Sequence, residues 1–195
     1  MKPIKLSSRF TIHRGKDLNF SSKKDEFLRL IELNKKNLVN IDNDSLWMET
    51  NAEIFRGVND IIKQRITEFT GEPFRNFAEH YWVYTQTKNF NLEWMHQHLL
   101  VHPNGRSKIF TDFTFTYYIQ QPKNLEGNEG CIIFEDENGV RHSFLPEEGD
   151  WFIFPADLRH TAVPTPNCDI DRLVYAGSLC INIEKQQTRT VKNIL

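Results

Sequence analysis

The apolar pattern of this chain changes period at Pro73, and that change limits the folds open to it. Upstream, Ile54, Val58, Ile61, Ile62 and Phe69 fall on one stripe of a helix that Gly71 and Pro73 terminate. Phe27, Leu30 and Ile31, with Leu38 beyond, signal an earlier helix, and Ser22 with Asp25 three positions later resembles its capping box. The weakly patterned residues before them read as an edge strand packed on the body. Downstream of Pro73 the runs shorten, alternate every second residue, and fill with aromatic and β-branched side chains. His80–Thr85, Leu92–Leu99, Phe110–Gln120, Cys131–Phe134, Val140–Leu145, Trp151–Phe154, Thr161–Val163 and Leu173–Ile183 make about eight strands. Asn89, Asn91, the His102-Pro103-Asn104-Gly105 run, Pro122 and the hairpin signal Asn138-Gly139 separate them. Strands this short fold as a β-sandwich or barrel, here with helices confined to the front half. One domain over residues 1–195 is expected: a helical support to 75, a β core over 76–184 and a tail over 185–195.

Charge and cysteine content narrow the function. A formal net charge of −2 lacks the basic excess of a protein that coats nucleic acid, so no nucleic-acid partner is expected. No apolar run approaches membrane-spanning length, and Met1–Phe10 has no signal-peptide core, so no membrane partner is expected either. Cys131, Cys168 and Cys180 are odd in number and lack metal-ligand spacing; free thiols in a reducing cytoplasm fit them.

The residues with chemical content lie in the second half. Gly149 supplies a turn before the apolar strand Trp151–Phe154, Pro155 marks its corner, His160 follows, and Arg172 opens another strand. His96 and His98 are two apart on an extended segment and so share a face. Two imidazoles on one face, joined by His160 from a distant strand, make a metal constellation suited to Fe, Zn, Cu or Ni. The lone His13, His80 and His142 read as packing or surface residues, Trp94 and Trp151 as core rings near the site, and Arg106 and Lys108 as a solvated rim. No cysteine has an activating neighbour in sequence.

The order of these pieces resembles a known family. Gly149, Pro155 and His160 match the second cupin motif, with Asp157 where glycine is usual; His96-Gln97-His98 resembles the first, with His102 in place of its glutamate. The set His96/His98, Pro103-Asn104-Gly105, Tyr117-Tyr118-Ile119, Gly130–Phe134, Gly149–Pro155, His160 and Arg172 is similar to the Fe(II)/2-oxoglutarate-dependent dioxygenases, in particular their prolyl-hydroxylase-like and standalone phage or bacterial members. The likeness spans roughly residues 76–184. It implies a mainly β fold, a double-stranded β-helix (jelly roll, cupin-like) with N-terminal supporting helices. It also implies Fe(II), 2-oxoglutarate and O2 as cofactor and cosubstrates, and hydroxylation of a small molecule or a protein side chain. In that pattern His160 is the distal metal ligand, Arg172 clamps the far carboxylate of 2-oxoglutarate, and Tyr118 helps hold it.

One departure matters: the family's usual first motif is His-x-Asp or His-x-Glu, and this chain has His-x-His. Three arrangements fit. His96, His98 and His160 form an all-histidine triad; or His98 pairs with the Asp112 carboxylate; or Leu100 or water stands at the carboxylate position, leaving two histidines. A cupin-type metal dioxygenase or isomerase without 2-oxoglutarate, and a metal-free jelly-roll binding module, are the rival readings. An arginine ion-paired with Asp169 or Asp171 is the ordinary alternative for Arg172.

Overall fold

A computed structural model describes residues 1–34, 39–40, 45–48, 53–74, 78–86, 94–101 and 109–181. In chain order the elements are β1 (Lys2–Lys5), β2 (Thr11–Lys16), α1 (Phe20–Asn34), β3 (Val39–Asn40), β4 (Ser45–Met48), α2 (Glu53–Thr70), β5 (Ala78–Gln86), β6 (Leu100–Val101) and β7 (Ile109–Phe110). They continue through β8 (Phe113–Gln120), β9 (Ile132–Glu135), β10 (Arg141–Phe144), β11 (Asp150–Pro155), β12 (Arg159–Ala162) and β13 (Arg172–Cys180). Eight strands form one sheet in the order β1-β2-β11-β8-β13-β5-β4-β3, and β10-β9-β12 form a smaller one. The residues before 76 thus contribute four strands to the large sheet as well as both helices.

Alternation along each strand divides the apolar side chains between two cores. Phe115, Tyr117 and Ile119 of β8, Trp151 and Ile153 of β11, and Leu173 and Tyr175 of β13 meet Phe27 and Ile31 of α1 and Phe55, Val58, Ile62 and Ile66 of α2. A polar contact fixes α2 to the sheet: the Tyr175 hydroxyl donates to Asn59 Oδ1 at 2.7 Å, with both side chains buried. The opposite parity, Tyr118, Phe152, Phe154 and Val174, packs with Phe10 and Ile12 against Ile132 and Phe134 of the small sheet. This inter-sheet layer carries the candidate site. Two facing antiparallel sheets with helices behind the larger one form the double-stranded β-helix that the resemblance implies.

Two glycines are fixed by geometry. Gly149 has φ 80 in the turn that aims β11, and a Cβ there would lie 2.7 Å from Phe20. A Cβ on Gly177 would lie 2.5 Å from both Phe115 and Tyr81, so β13 packs closely under these rings.

Several local expectations shift. Helix α1 begins at Phe20; Ser22 lies inside its first turn and donates back to the Asn19 carbonyl at 2.8 Å, while Asp17 Oδ1 accepts from Asn19 N–H at 2.9 Å. Helix α2 ends as predicted, with Gly71 at φ 68 donating to the Thr67 carbonyl. Trp94–Leu99 is not a strand: His96 alone forms a bridge, with His160. The long strand expected over Phe110–Gln120 is broken by a bend at Asp112. The Asn138-Gly139 hairpin is a longer connection in which Asp136 Oδ1 accepts from the N–H groups of Asn138 and Val140. Leu38, Asn89, Asn91, the 102–105 turn, Arg106, Lys108 and the expected tail lie outside the described residues. No described helix is long and apolar enough to cross a membrane.

Candidate metal centre

The site begins at the corner after β11. The Leu158 N–H donates to the Pro155 carbonyl, closing a turn that sets β12 antiparallel to β9, with His160 opposite Phe134. His160 and His96 exchange backbone hydrogen bonds of 2.9 and 3.0 Å, and the His98 N–H donates to the Ala156 carbonyl at 3.1 Å. The Thr111 hydroxyl donates to the His98 carbonyl. The segment carrying His96 and His98 is therefore held along the open edge of the small sheet, two residues of equal parity facing inward. One candidate ligand atom from each of His96, His98 and His160 lies within 4.8 Å of the others, and the ring centroids are 4.4 to 5.1 Å apart.

These imidazoles are prepared as neutral donors. Burial lowers the pKa of all three; the His98 ring falls to about 3, and neighbouring imidazoles lower His98 and His160 further. Nδ1 of His160 lies 3.1 Å from the Leu158 carbonyl and Nδ1 of His96 3.5 Å from that of Trp94. A proton on each Nδ1 leaves the Nε2 lone pair for an ion, the usual support for a histidine ligand. Phe154 meets the His160 ring edge-on at 4.7 Å, and Trp82 lies 5.2 Å from His98. Donor nitrogens about 2.1 Å from an ion sit roughly 3 Å apart when adjacent, so modest ring rotation brings the three onto one centre. The residue types, neutrality and spacing all fit a metal. The Asp112 carboxylate is not in this group; the bend before β8 turns it to accept the Ile181 N–H at 2.9 Å. Nothing is described of the Leu100 side chain.

Deeper between the sheets lies Arg172, the first residue of β13 and only 1% exposed. Its Nη1 donates to Gln86 Oε1 at 3.3 Å and reaches the Val163 carbonyl at 3.5 Å. Its Nε and Nη2, which form the other edge of the guanidinium, have no hydrogen-bond partner among the described residues. No described carboxylate, Asp169 and Asp171 included, forms an ion pair with it. Among the described residues Arg172 is thus neither at the surface nor ion-paired. The Arg172 guanidinium carbon lies 5.2 Å over the Tyr118 ring; burial raises the Tyr118 phenol, and the Arg172 charge opposes that shift. The Thr114 hydroxyl, on the same face of β8 as Tyr118, also lacks a partner among the described residues, while Thr116 and Arg172 both act to lower the Tyr118 phenol. A buried fork of unpaired donors is costly alone and matches a carboxylate, which accepts two parallel N–H bonds.

The other candidates separate. Trp151 is a core ring but faces the helices, on the far side of the large sheet from the imidazoles. Trp94 is not a core ring: it is 57% exposed, 5.6 Å from His96, because the row Trp94, His96, His98 runs outward from the site. His13 stacks on Phe69 at 3.9 Å, and His142 lies 3.2 Å from Asp136. The sequence reading missed Gln86. It sits directly across from Arg172 on β5, and the parity of Trp82, extended two strand positions past Tyr84, would have found it.

No protein-family model and no curated protein sequence matches the chain. Solved structures do. A prolyl hydroxylase from Trichoplax adhaerens, crystallised with a hypoxia-inducible-factor peptide fragment, superposes with a TM-score of 0.67 at 11% identity, covering 91% of this chain and 86% of that one. A prolyl-4-hydroxylase from Pseudomonas putida gives 0.61 at 11% identity, covering 88% and 92%. The fold is that of the 2-oxoglutarate- and iron(II)-dependent oxygenases. Among structures of this oxygenase fold, the α-ketoglutarate-dependent epimerase SnoN of nogalamycin biosynthesis matches with a TM-score of 0.65 at 12% identity, covering 87% of this chain and 77% of that one. Hydroxylases and an epimerase share the architecture, so the fold alone does not select a reaction.

Proposed function

We propose that this chain is an Fe(II)- and 2-oxoglutarate-dependent oxygenase that hydroxylates an unactivated C–H bond of a small molecule or a protein side chain, with release of succinate and CO2. The observation that carries the proposal is the free Nε–Nη2 edge of buried Arg172 in the same inter-sheet layer as three converging imidazoles. His96, His98 and His160 would hold the metal through Nε2, and Arg172 with Tyr118 would hold the far carboxylate of the cosubstrate. When bound, iron with 2-oxoglutarate and O2 supplies the oxidising power, the oxo acid leaving as succinate and CO2. The chain's own part is to orient and to exclude water. Arg172 would hold one end of the dicarboxylate and so limit the orientations open to the rest of it. Phe134 and Phe154 beside His160, and Trp82 beside His98, would shield the inner side of the site from water. One domain over residues 1–195, acting in the cytoplasm, is the organisation we adopt.

The all-imidazole donor set by itself favours a metal dioxygenase or isomerase that does not use 2-oxoglutarate. That reading leaves the Arg172 edge without a ligand, and we rank it second. Protein reconstituted with Fe(II) and given 2-oxoglutarate and O2 is expected to form succinate slowly even without a primary substrate, and to stop on chelation. Fe(II)-loaded protein that neither binds nor consumes 2-oxoglutarate would support the second reading instead.

A further inference from the structure

Gln86 is completely buried, and its side chain is only half satisfied. Its orientation is fixed by its partner: guanidinium nitrogens only donate, so the atom 3.3 Å from Arg172 Nη1 is the amide oxygen. The amide nitrogen is left with two N–H bonds and no acceptor among the described residues. Arg172 Nε and Nη2 bring three more unpaired N–H bonds to the same paired register of β5 and β13. Among the described residues, five buried N–H donors without acceptors gather around one residue pair and suit an anionic oxygen ligand such as an ionised carboxylate. An aliphatic side chain at position 86 would leave the Arg172 Nη1 edge less anchored; an acidic one would satisfy Arg172 internally and remove its need for a ligand.

We propose that Gln86 is a specificity-determining residue of the cosubstrate site: its carbonyl holds the Arg172 guanidinium with the Nε–Nη2 edge free, and its amide N–H adds a second donor to the far carboxylate. This rests on the 2-oxoglutarate reading above. The residue discriminates dicarboxylic from monocarboxylic oxo acids through neutral hydrogen bonding that leaves the arginine charge uncompensated until ligand arrives.

The test compares 2-oxoglutarate with 2-oxopentanoate, which has the same carbon chain without the far carboxylate. Affinities are measured by calorimetry on Co(II)-loaded protein, and each variant is melted thermally. In wild type, 2-oxoglutarate binds more tightly. In Gln86→Glu that preference falls at least about 30-fold, and in Gln86→Met about tenfold, as expected for lost hydrogen bonds to a charged group. Binding of 2-oxopentanoate stays within twofold in both, which shows that the variants fold and hold metal. If wild type prefers 2-oxoglutarate and neither variant changes the preference by more than twofold, the role of Gln86 is refuted while the cosubstrate reading stands. If wild type shows no preference, the cosubstrate reading itself fails.

Discussion

Arg172→Met weakens 2-oxoglutarate binding by roughly 30-fold or more while leaving the unliganded protein as stable as wild type or more so. The two halves of this result have one cause. In the absence of ligand, Arg172 is a buried cation with two unpartnered nitrogens, and replacing such a group by an apolar side chain of similar length is often neutral or stabilising. With ligand, the same nitrogens form a desolvated, bidentate charge pair, and removing one member of such a pair costs about 2–5 kcal/mol. At about 1.4 kcal/mol per tenfold, affinity falls roughly 30- to several-thousand-fold. Thermal melting with and without 2-oxoglutarate separates the effects: wild type gains stability from the ligand and the variant does not. An Arg172→Met protein that still forms succinate at a near-normal rate would refute the clamp.

His160→Ala removes iron binding. His160 is the best-supported of the three imidazoles, fully enclosed, with its ring set by the Leu158 carbonyl and its backbone bonded to His96 in both directions. Loss of a residue that merely supports a ligand costs 10- to 100-fold in metal affinity, so loss of the ligand itself is expected to cost more than about 100-fold. His98→Asp behaves differently. An aspartate there restores the His-x-carboxylate pattern and places an anion beside the ion, so the variant retains metal with affinity at least equal to wild type. Metal content after dialysis against a weak chelator reads both. If His160→Ala keeps its iron, the three-histidine centre is wrong; if His98→Asp loses it, His98 does not face the ion.

How much of this was legible in the residues depends on whether the controlling interaction was local. The shared face of His96 and His98 was legible from their spacing and held because both backbones bond to the Ala156–His160 corner, whereas the uniformly apolar Trp151–Phe154 run carries no sign of which face Trp151 takes. The α2 boundary was readable from Gly71, whose positive φ is a local requirement. Other features were not local. Whether Trp94–Leu99 forms a strand depends on which backbone groups of the Ala156–His160 corner come within bonding distance, and only those at His96 and His98 do. The bend at Asp112 follows from bonds to Leu179, Ile181 and Ala156, so strand parity could not say where its carboxylate points. Trp94 looks like a core residue by type, but it lies where the row of inward side chains leaves the sandwich. Gln86 was missed because the aromatic run was ended one residue early, at Thr85.

Three neutral imidazoles and the Nε–Nη2 edge of Arg172 are expected to accept one ion and one dicarboxylate together. Anaerobic addition of Fe(II) and then 2-oxoglutarate to the wild-type protein tests it most directly, because a visible charge-transfer band arises only when an oxo acid chelates the bound metal. A saturable band with one equivalent of each is the predicted result. Fe(II) bound without any such band at saturating 2-oxoglutarate would contradict it.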